Sequence, residues 1–167
     1  MSVRVAKSAG FCFGVSRAVE LVEQAAKAGK KVVTLGPIIH NHHVVDKFRA
    51  LGVEVIDAPE QACPGQTVII RSHGVSRAVY EELQRRGVEI IDATCPFVKR
   101  IHGIVSRAEE EGQLPVIIGT PTHPEVEGIA GWCRDCRVFE TLGDLKNWAY
   151  SKENLKKSSI CMVSQTT

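Results

Sequence analysis

The chain has 167 residues, of which 44% are hydrophobic and 24% charged, enough for one globular domain or two small ones. Its formal net charge of +2 excludes a strongly electrostatic nucleic-acid binder. No run approaches the roughly 18 apolar residues of a transmembrane helix, and no basic segment precedes an apolar block at the N-terminus. We therefore expect a cytoplasmic chain without a membrane or nucleic-acid partner. Its six cysteines are expected to be thiols or metal ligands rather than disulfides.

Short β-branched runs alternate with amphipathic segments along the chain. Strands are predicted at residues 3–6, 31–35, 53–56, 67–70, 88–91, 116–119, 137–139 and 160–164. Most of these runs are continuously apolar, which is typical of strands covered on both faces. Apolar residues at helical spacing predict helices over 15–26, 44–51 and 98–108. The alternation predicts an α/β fold of repeated modules with small, mostly parallel sheets.

Two segments of the sequence occur twice. Residues 14–19 (GVSRAV) recur identically at 74–79, and residues 52–58 (GVEVIDA) recur as GVEIIDA at 87–93. The repetition predicts similar modules, each ending a strand in a loop that carries chemistry. Within the first repeat, Ser16 and Ser76 are predicted to cap the N-termini of their helices.

Five cysteines and histidines fall in the loops that follow predicted strands. They are Cys12, His40, His73, Cys95 and His123. Because ligands of open α/β sheets bind at the carboxyl ends of the strands, we expect these side chains to face one cavity. Helix N-termini near such loops bind anions and favour a thiolate over a thiol. The pattern therefore predicts a site for a small anion, a metal, or both.

Two carboxylates follow the last of these histidines. Glu125 lies two residues after His123, and a carboxyl group beside a metal or anion can serve as a proton donor. The alternative is a glutamate that only favours the first turn of a helix. Glu127 is the weaker competitor for the same role.

The remaining cysteines carry weaker signals. Cys133 and Cys136 form a C-x-x-C pair, but there is neither the second pair of a zinc ribbon nor the strand-to-helix position of a thioredoxin-like redox pair. Metal or redox use of this pair is therefore the less favoured interpretation. Cys63 and Cys161 are interpreted as structural.

Six short motifs occur together in one order along the chain. They are GFCFGV at 10–15, IHN at 39–41, SHGV at 72–75, DATCP at 92–96, HPEVEG at 123–128 and QTT at 165–167. In this order and spacing the chain resembles the 4-hydroxy-3-methylbut-2-enyl diphosphate reductases, iron–sulfur enzymes of the non-mevalonate isoprenoid pathway. The resemblance implies reductive removal of an allylic hydroxyl, giving isopentenyl and dimethylallyl diphosphate. It also implies a ferredoxin- or flavodoxin-type electron donor.

The resemblance further implies an iron–sulfur cofactor and a proton donor. In this family three cysteines hold a 4Fe-4S cluster with one open iron, and Cys12 and Cys95 match the first two ligands. Glu125 matches the carboxylate that supplies the proton for loss of water.

Four substrate-binding positions of the family are also matched. His40, His73 and His123 match the histidines that bind the diphosphate. Thr166 matches the threonine near the substrate and the proton path, with Thr167 as the alternative.

The family fold is a trefoil-like ring of three α/β lobes around a central cavity. Applied to this chain, it predicts an N-terminal strand and cluster-ligand loop at 1–12, a first lobe at 13–95 and a second, incomplete lobe at 96–167. The third lobe, with the third cluster cysteine and a Ser-x-Asn motif, is missing from this sequence. We therefore expect a truncated chain that is inactive alone.

Three alternatives remain open from the sequence. The chain is either one subunit of a split enzyme, whose partner supplies the third lobe, or a non-catalytic remnant that binds diphosphate or metal. A zinc hydrolase with His40, His73 and His123 as ligands ranks last, because the two loop cysteines would then have no role.

Overall fold

The computed structural model describes residues 2–7, 9–39, 41–151 and 159–166. The helices are α1 (Phe13–Lys27), α2 (His42–Ala50), α3 (Arg77–Arg85), α4 (Pro96–Glu110), α5 (Pro124–Ala130) and α6 (Leu142–Tyr150). The strands are β1 (Val32–Leu35), β2 (Glu54–Ile56), β3 (Thr67–Ile70), β4 (Glu89–Asp92), β5 (Leu114–Ile118), β6 (Arg137–Phe139) and β7 (Ile160–Ser164). Within the described residues, no helix combines the length and apolar character needed to cross a bilayer.

The strands form two small sheets in which every described pairing is parallel. The first has the order β2-β1-β3-β4 and the second the order β6-β5-β7. Val33 lies opposite Val68 in the first sheet, and Ile117 lies opposite both Val138 and Val163 in the second. The predicted α/β fold with small parallel sheets is confirmed.

The central strands of the first sheet are buried on both faces. Ile69 of β3 packs in one cluster with Val22 of α1 and Phe48 of α2. Its neighbours Val68 and Ile70 point the other way, into a cluster that contains Leu83 of α3. This two-sided burial explains why β1 and β3 are mostly apolar and buried along their whole length rather than alternating.

Among the described residues, the second sheet has a smaller core. Ile117 of β5 packs with Val105 of α4 and with Val126 and Ile129 of α5. Met162 of β7 is 56% exposed, so part of this sheet lies open. The two sheets occupy residues 32–92 and 114–164, whereas the lobe boundary at 95/96 stays a prediction.

The prediction of a strand at residues 3–6 is wrong. The described residues 2–7 contain no strand, and Val3 and Val5 are 89% and 78% exposed. An apolar run becomes a strand only when a neighbour accepts and donates its backbone hydrogen bonds, and this run has no such neighbour among the described residues. The other seven predicted strands are present, with ends shifted by at most two residues.

The two repeats have different outcomes in the structure. The copies at 52–58 and 87–93 are equivalent, because β2 and β4 are the two outer strands of the first sheet. The copies at 14–19 and 74–79 differ, because Gly14 is already helical whereas Gly74 lies in a loop with φ +76°. Ser76 caps α3 through the N–H of Val79, as predicted, but the N-cap of α1 is Cys12. The prediction of Ser16 as a cap is therefore wrong.

Candidate functional site

Cys12 and Cys95 occupy matching positions, each at the N-cap of a helix. Cys12 precedes α1 and Cys95 precedes α4, and neither side chain is used to cap its helix. Cys12 is exposed and Cys95 is half-buried, with both thiols reduced.

The start of α1 packs directly on the loop that carries Cys95. A Cβ added to Gly14 would lie 2.7 Å from the Cys95 Sγ, so only a glycine fits there. The Arg17 guanidinium donates to the carbonyls of Asp92 and Thr94 at 3.2 and 3.3 Å. These contacts bring the Cys12 and Cys95 loops together, and sequence reasoning missed the part played by Arg17.

The loop before Cys95 is held by its own hydrogen bonds. Asp92 accepts from the backbone N–H of Thr94 at 3.0 Å and from Lys99 Nζ at 2.6 Å. Burial raises the pKa of the Asp92 carboxyl, but these hydrogen bonds outweigh it and the pKa is lowered overall. The N–H of Cys95 donates to the carbonyl of Ser72 at 2.9 Å, which joins this loop to the loop of His73.

His73 and His123 lie side by side. Their ring centroids are 5.4 Å apart and the rings are nearly perpendicular. His73 is only 6% exposed, and His123 is the N-cap of α5. The helix approaches the His73 loop closely, since a Cβ on Gly128 would be 3.5 Å from the His73 carbonyl and one on Gly131 would overlap Ser76.

The N-cap hydrogen bond of α5 uses one ring nitrogen of His123 as an acceptor. The backbone N–H of Glu125 donates to His123 Nδ1 at 3.2 Å, so Nδ1 is an acceptor. A neutral imidazole with Nδ1 as acceptor carries its proton on Nε2. His123 therefore offers an N–H donor from the ring atom that its helix does not use.

Glu125 is fully buried, and its side chain is hydrogen-bonded by Thr166, which follows β7 of the second sheet. Its Oε1 accepts from the backbone N–H of Thr166 at 2.7 Å and from the Thr166 hydroxyl at 2.9 Å. Gln165 positions Thr166, because its N–H donates to the Ile118 carbonyl and its Oε1 accepts from the N–H of Thr120. A carboxylate, a hydroxyl and two imidazoles thus converge near the N-terminus of α5.

Burial distinguishes Glu125 from Glu127, the two carboxylates that the sequence offered as candidate proton donors. Glu125 is 0% exposed, whereas Glu127 is exposed and interacts electrostatically with Arg71. Burial lowers the pKa of the Arg71 guanidinium, and Glu127 partly offsets that change. Arg71 immediately precedes Ser72 and His73, and sequence reasoning did not single it out.

Two of the predicted site residues, His40 and Thr167, lie outside the described residues. Next to His40 in the sequence, Ile39 is buried, and the Asn41 side chain accepts from the N–H of Val44 at the start of α2. In the part of the chain that the structure describes, no group of three or more Cys, His, Asp or Glu side chains is arranged to hold a metal ion. The described residues thus present two cysteines rather than a complete ligand set.

A separate cavity of about 520 Å³ lies between α3, α4 and Trp132. Its wall includes His102, Trp132 and Lys99, but none of the predicted site residues that the structure describes. His102 stacks on Trp132 with centroids 5.2 Å apart. This cavity is therefore distinct from the cluster of His73, His123 and Glu125.

Comparison with known proteins identifies relatives over the whole chain. A family model described as "LytB protein" matches residues 3–167. A 4-hydroxy-3-methylbut-2-enyl diphosphate reductase of Thermoanaerobacter sp. (strain X514) is 44% identical over 172 aligned residues, which cover 100% of this chain and 58% of that protein. The reductase of Aquifex aeolicus (strain VF5) is also 44% identical, with 57% of its length covered. The chain thus spans less than two thirds of the length of these relatives.

Two solved structures share this fold. One, described as (E)-4-hydroxy-3-methyl-but-2-enyl diphosphate reductase, the terminal enzyme of the non-mevalonate pathway, superposes with a TM-score of 0.82 and 43% identity. The superposition covers 99% of this chain and 58% of the solved chain. The E-1-hydroxy-2-methyl-but-2-enyl-4-diphosphate reductase from Plasmodium falciparum gives a TM-score of 0.88 at 29% identity, over 96% of this chain and 50% of that one.

Proposed function

Because this chain belongs to the LytB family, we propose that it supplies two lobes of a reductase that removes the allylic hydroxyl of 4-hydroxy-3-methylbut-2-enyl diphosphate. The products are isopentenyl and dimethylallyl diphosphate. One observation carries the proposal: the buried Glu125 is held by Thr166 beside the His73–His123 pair. This arrangement combines donors for a diphosphate with a carboxyl group that can deliver a proton.

We propose Cys12 and Cys95 as two thiolate ligands of a 4Fe-4S cluster. The fit rests on two features: both thiols stand at helix N-termini without capping hydrogen bonds, and Gly14 leaves room beside the Cys95 Sγ. When bound, the cluster supplies electrons and a Lewis-acidic iron for the substrate hydroxyl. The third ligand is proposed to come from a third lobe, either in the same polypeptide or in a partner chain.

The histidines of this chain are proposed to bind the diphosphate. The Nε2–H of His123 donates to a phosphate oxygen. His73 lies next to His123, so both rings can serve one diphosphate group. His40 and Thr167 are proposed for the same pocket from the sequence. This use of neutral donors agrees with a net charge of only +2.

Glu125 is proposed to protonate the departing hydroxyl. Because Oε1 accepts both hydrogen bonds from Thr166, the transferable proton belongs on Oε2. The two hydrogen bonds from Thr166 hold the carboxyl group in one orientation, which fixes the position from which Oε2 delivers its proton. Electrons are proposed to come from a ferredoxin- or flavodoxin-type donor in the cytoplasm.

The first test is turnover by a hybrid protein. Residues 1–167 replace the matching part of the Thermoanaerobacter reductase, and reduction of 4-hydroxy-3-methylbut-2-enyl diphosphate is followed anaerobically with a reduced donor. We expect turnover by the hybrid, a loss of about 10²- to 10⁴-fold in kcat for Glu125→Gln, and little change for the matched Glu127→Gln variant. A folded, cluster-loaded hybrid without turnover, or equal effects of the two substitutions, would contradict the proposal.

The second test is binding of inorganic diphosphate by the chain itself. Titration calorimetry is expected to show that His73→Gln weakens binding at least tenfold, because each lost charge-assisted hydrogen bond contributes on the order of 1.5–3 kcal/mol. His43→Gln is the matched control, since His43 is an exposed residue of α2. Equal affinities of the two variants would remove His73 from the pocket. A requirement for stoichiometric zinc would instead favour the histidine hydrolase.

A further inference from the structure

Cys133 and Cys136 have no role in the proposed reductase. They lie in the turn between the end of α5 and the start of β6. Both are half-buried, and both pack against the core of the second sheet formed by Val105, Ile117 and Ile129. Their sulfurs are therefore partly shielded but remain reachable by a small reagent.

The surrounding contacts hold the two cysteines in one compact turn. The Cys133 Sγ lies 3.5 Å from the Ala130 carbonyl oxygen, so its single S–H is shared between this acceptor and the Cys136 sulfur. The backbone N–H groups of both intervening residues, Arg134 and Asp135, donate to the same Oε1 of Glu109 in α4. These two hydrogen bonds to Glu109 hold residues 133–136 in a turn, in which the Cys133 and Cys136 thiols are in hydrogen-bonding contact.

The interaction between the two thiols gives them different pKa values. A hydrogen bond from Cys133 lowers the pKa of the Cys136 thiol to about 7, against the opposing effect of burial. The same contact, together with burial, raises the pKa of the Cys133 thiol. Near neutral pH, Cys136 is the nucleophilic thiolate and Cys133 is the protonated partner.

We propose that Cys133 and Cys136 are a redox-active dithiol that interconverts with an intramolecular disulfide. With glutathione disulfide as oxidant, the Cys136 thiolate attacks one sulfur, breaks the S–S bond and releases one glutathione thiolate. Cys133 then loses its proton to solvent and attacks the Cys136 sulfur of the mixed disulfide, which releases the second glutathione. Two electrons pass from the two cysteine sulfurs to glutathione disulfide. The two glutathione thiolates take up two protons from solvent, which received one proton from Cys133 in this step and one from Cys136 when that thiol ionised.

Trp132, which directly precedes Cys133, connects the Cys133–Cys136 turn to the loop that carries His73. The Trp132 indole N–H donates to the Val75 carbonyl at 2.8 Å, two residues after His73. Because a disulfide beside an indole quenches its fluorescence, Trp132 provides a built-in reporter. The chain has only two tryptophans, so Trp148→Phe leaves Trp132 as the sole emitter.

The test measures disulfide formation in the native chain, prepared anaerobically and equilibrated in glutathione buffers of increasing oxidised fraction. Acid quenching, alkylation and trypsin digestion follow. Trypsin cuts after Arg134 and Arg137, so a Cys133–Cys136 disulfide leaves peptide 135–137 attached to peptide 108–134. The mass of this linked pair reports the bond directly, independently of diphosphate binding or reductase activity.

We expect the linked pair to form with an equilibrium constant at least tenfold larger than in the urea-unfolded chain. In the Trp148→Phe variant, Trp132 fluorescence should fall with the same midpoint. Cys136→Ser must abolish linkage and quenching, whereas the matched Cys63→Ser must retain both. Alkylation of both cysteines in fully oxidised buffer, or equal constants for the native and unfolded chains, would overturn the proposal.

Discussion

Among single residues, His102 illustrates how burial decides a protonation state. It is 5% exposed, and burial lowers its pKa to about 4, although Asp92 and Glu125 act in the opposite direction. Its ring stacks on Trp132, and a Cβ on Gly74 would approach its Cε1 to 2.7 Å. His102 is therefore a neutral packing residue under the loop that carries His73.

Because the pKa of His102 is lowered in the folded state, the free energy of unfolding decreases as the pH is lowered. The unfolded state takes up this proton near pH 6.5 and the folded state only near pH 4, so the contribution is intact above pH 6.5 and is lost between these values. The total is about 3 kcal/mol. Urea unfolding at pH 7.5 and 4.5 should show a smaller pH difference for His102→Gln than for the wild type, whereas the exposed-site control His43→Gln should match the wild type. Identical differences in all three proteins would contradict this assignment.

At the level of elements, one hexapeptide adopts two structures. In its first copy, Gly14 packs against Cys95 and the helix begins before it. In its second copy, Gly74 has a left-handed φ, and the N–H of Arg77 donates to the Gly131 carbonyl, so the helix begins only at Arg77. Helix α5 and its C-cap residue Gly131 therefore shape the second copy of the repeat.

The close approach of α5 to this loop can be tested with a pair of glycines. Gly131→Ala would push a methyl group into Ser76, whose Cα would be only 2.9 Å away, at a cost of about 1–3 kcal/mol. Gly103→Ala in α4 meets nothing within 4 Å and should stabilise the helix by about 0.5–1 kcal/mol. Urea midpoints measure both effects. Destabilisation by both variants, or by neither, would show that this contact is not tight in solution.

For the molecule as a whole, a few contacts connect the two sheets. Trp132 follows α5 and donates to Val75 of the first sheet's loop. Arg77 lies over the Trp132 ring at 5.3 Å and donates to Ser106 of α4 at 2.7 Å. The second sheet has the smaller buried core, so its stability depends more on this junction.

Replacing Trp132 should loosen the second sheet selectively. Trp132→Ala removes the stacking with His102 and the hydrogen bond to Val75, with an expected cost of about 3–5 kcal/mol. Hydrogen exchange should accelerate in β5 and at residues 74–77, and much less in β1. Trp148→Ala, which removes a ring packed on Phe139, should leave residues 74–77 unchanged. Uniform acceleration throughout the chain would show that the sheets open as one unit.

The sequence by itself determined the class of fold and most of the elements. Apolar runs and helical spacing are local patterns, so they predicted seven of the strands in the structure and the long helices α1 and α4. It also singled out Cys12, Cys95, His73, His123, Glu125 and Thr166, whose roles stay predictions. A local pattern cannot show whether a strand finds a partner, and for that reason residues 3–6 were assigned incorrectly.

Only the tertiary structure decided which of these residues meet. Glu125 and Thr166 are 41 positions apart, and their hydrogen bond exists because β7 pairs with β5 and Gln165 extends that pairing. The burial that separates Glu125 from Glu127, and the turn that joins Cys133 to Cys136, depend in the same way on packing against α4 and the second sheet. Such contacts are set by long-range packing and by the hydrogen bonds that buried groups must satisfy, neither of which is encoded in neighbouring residues.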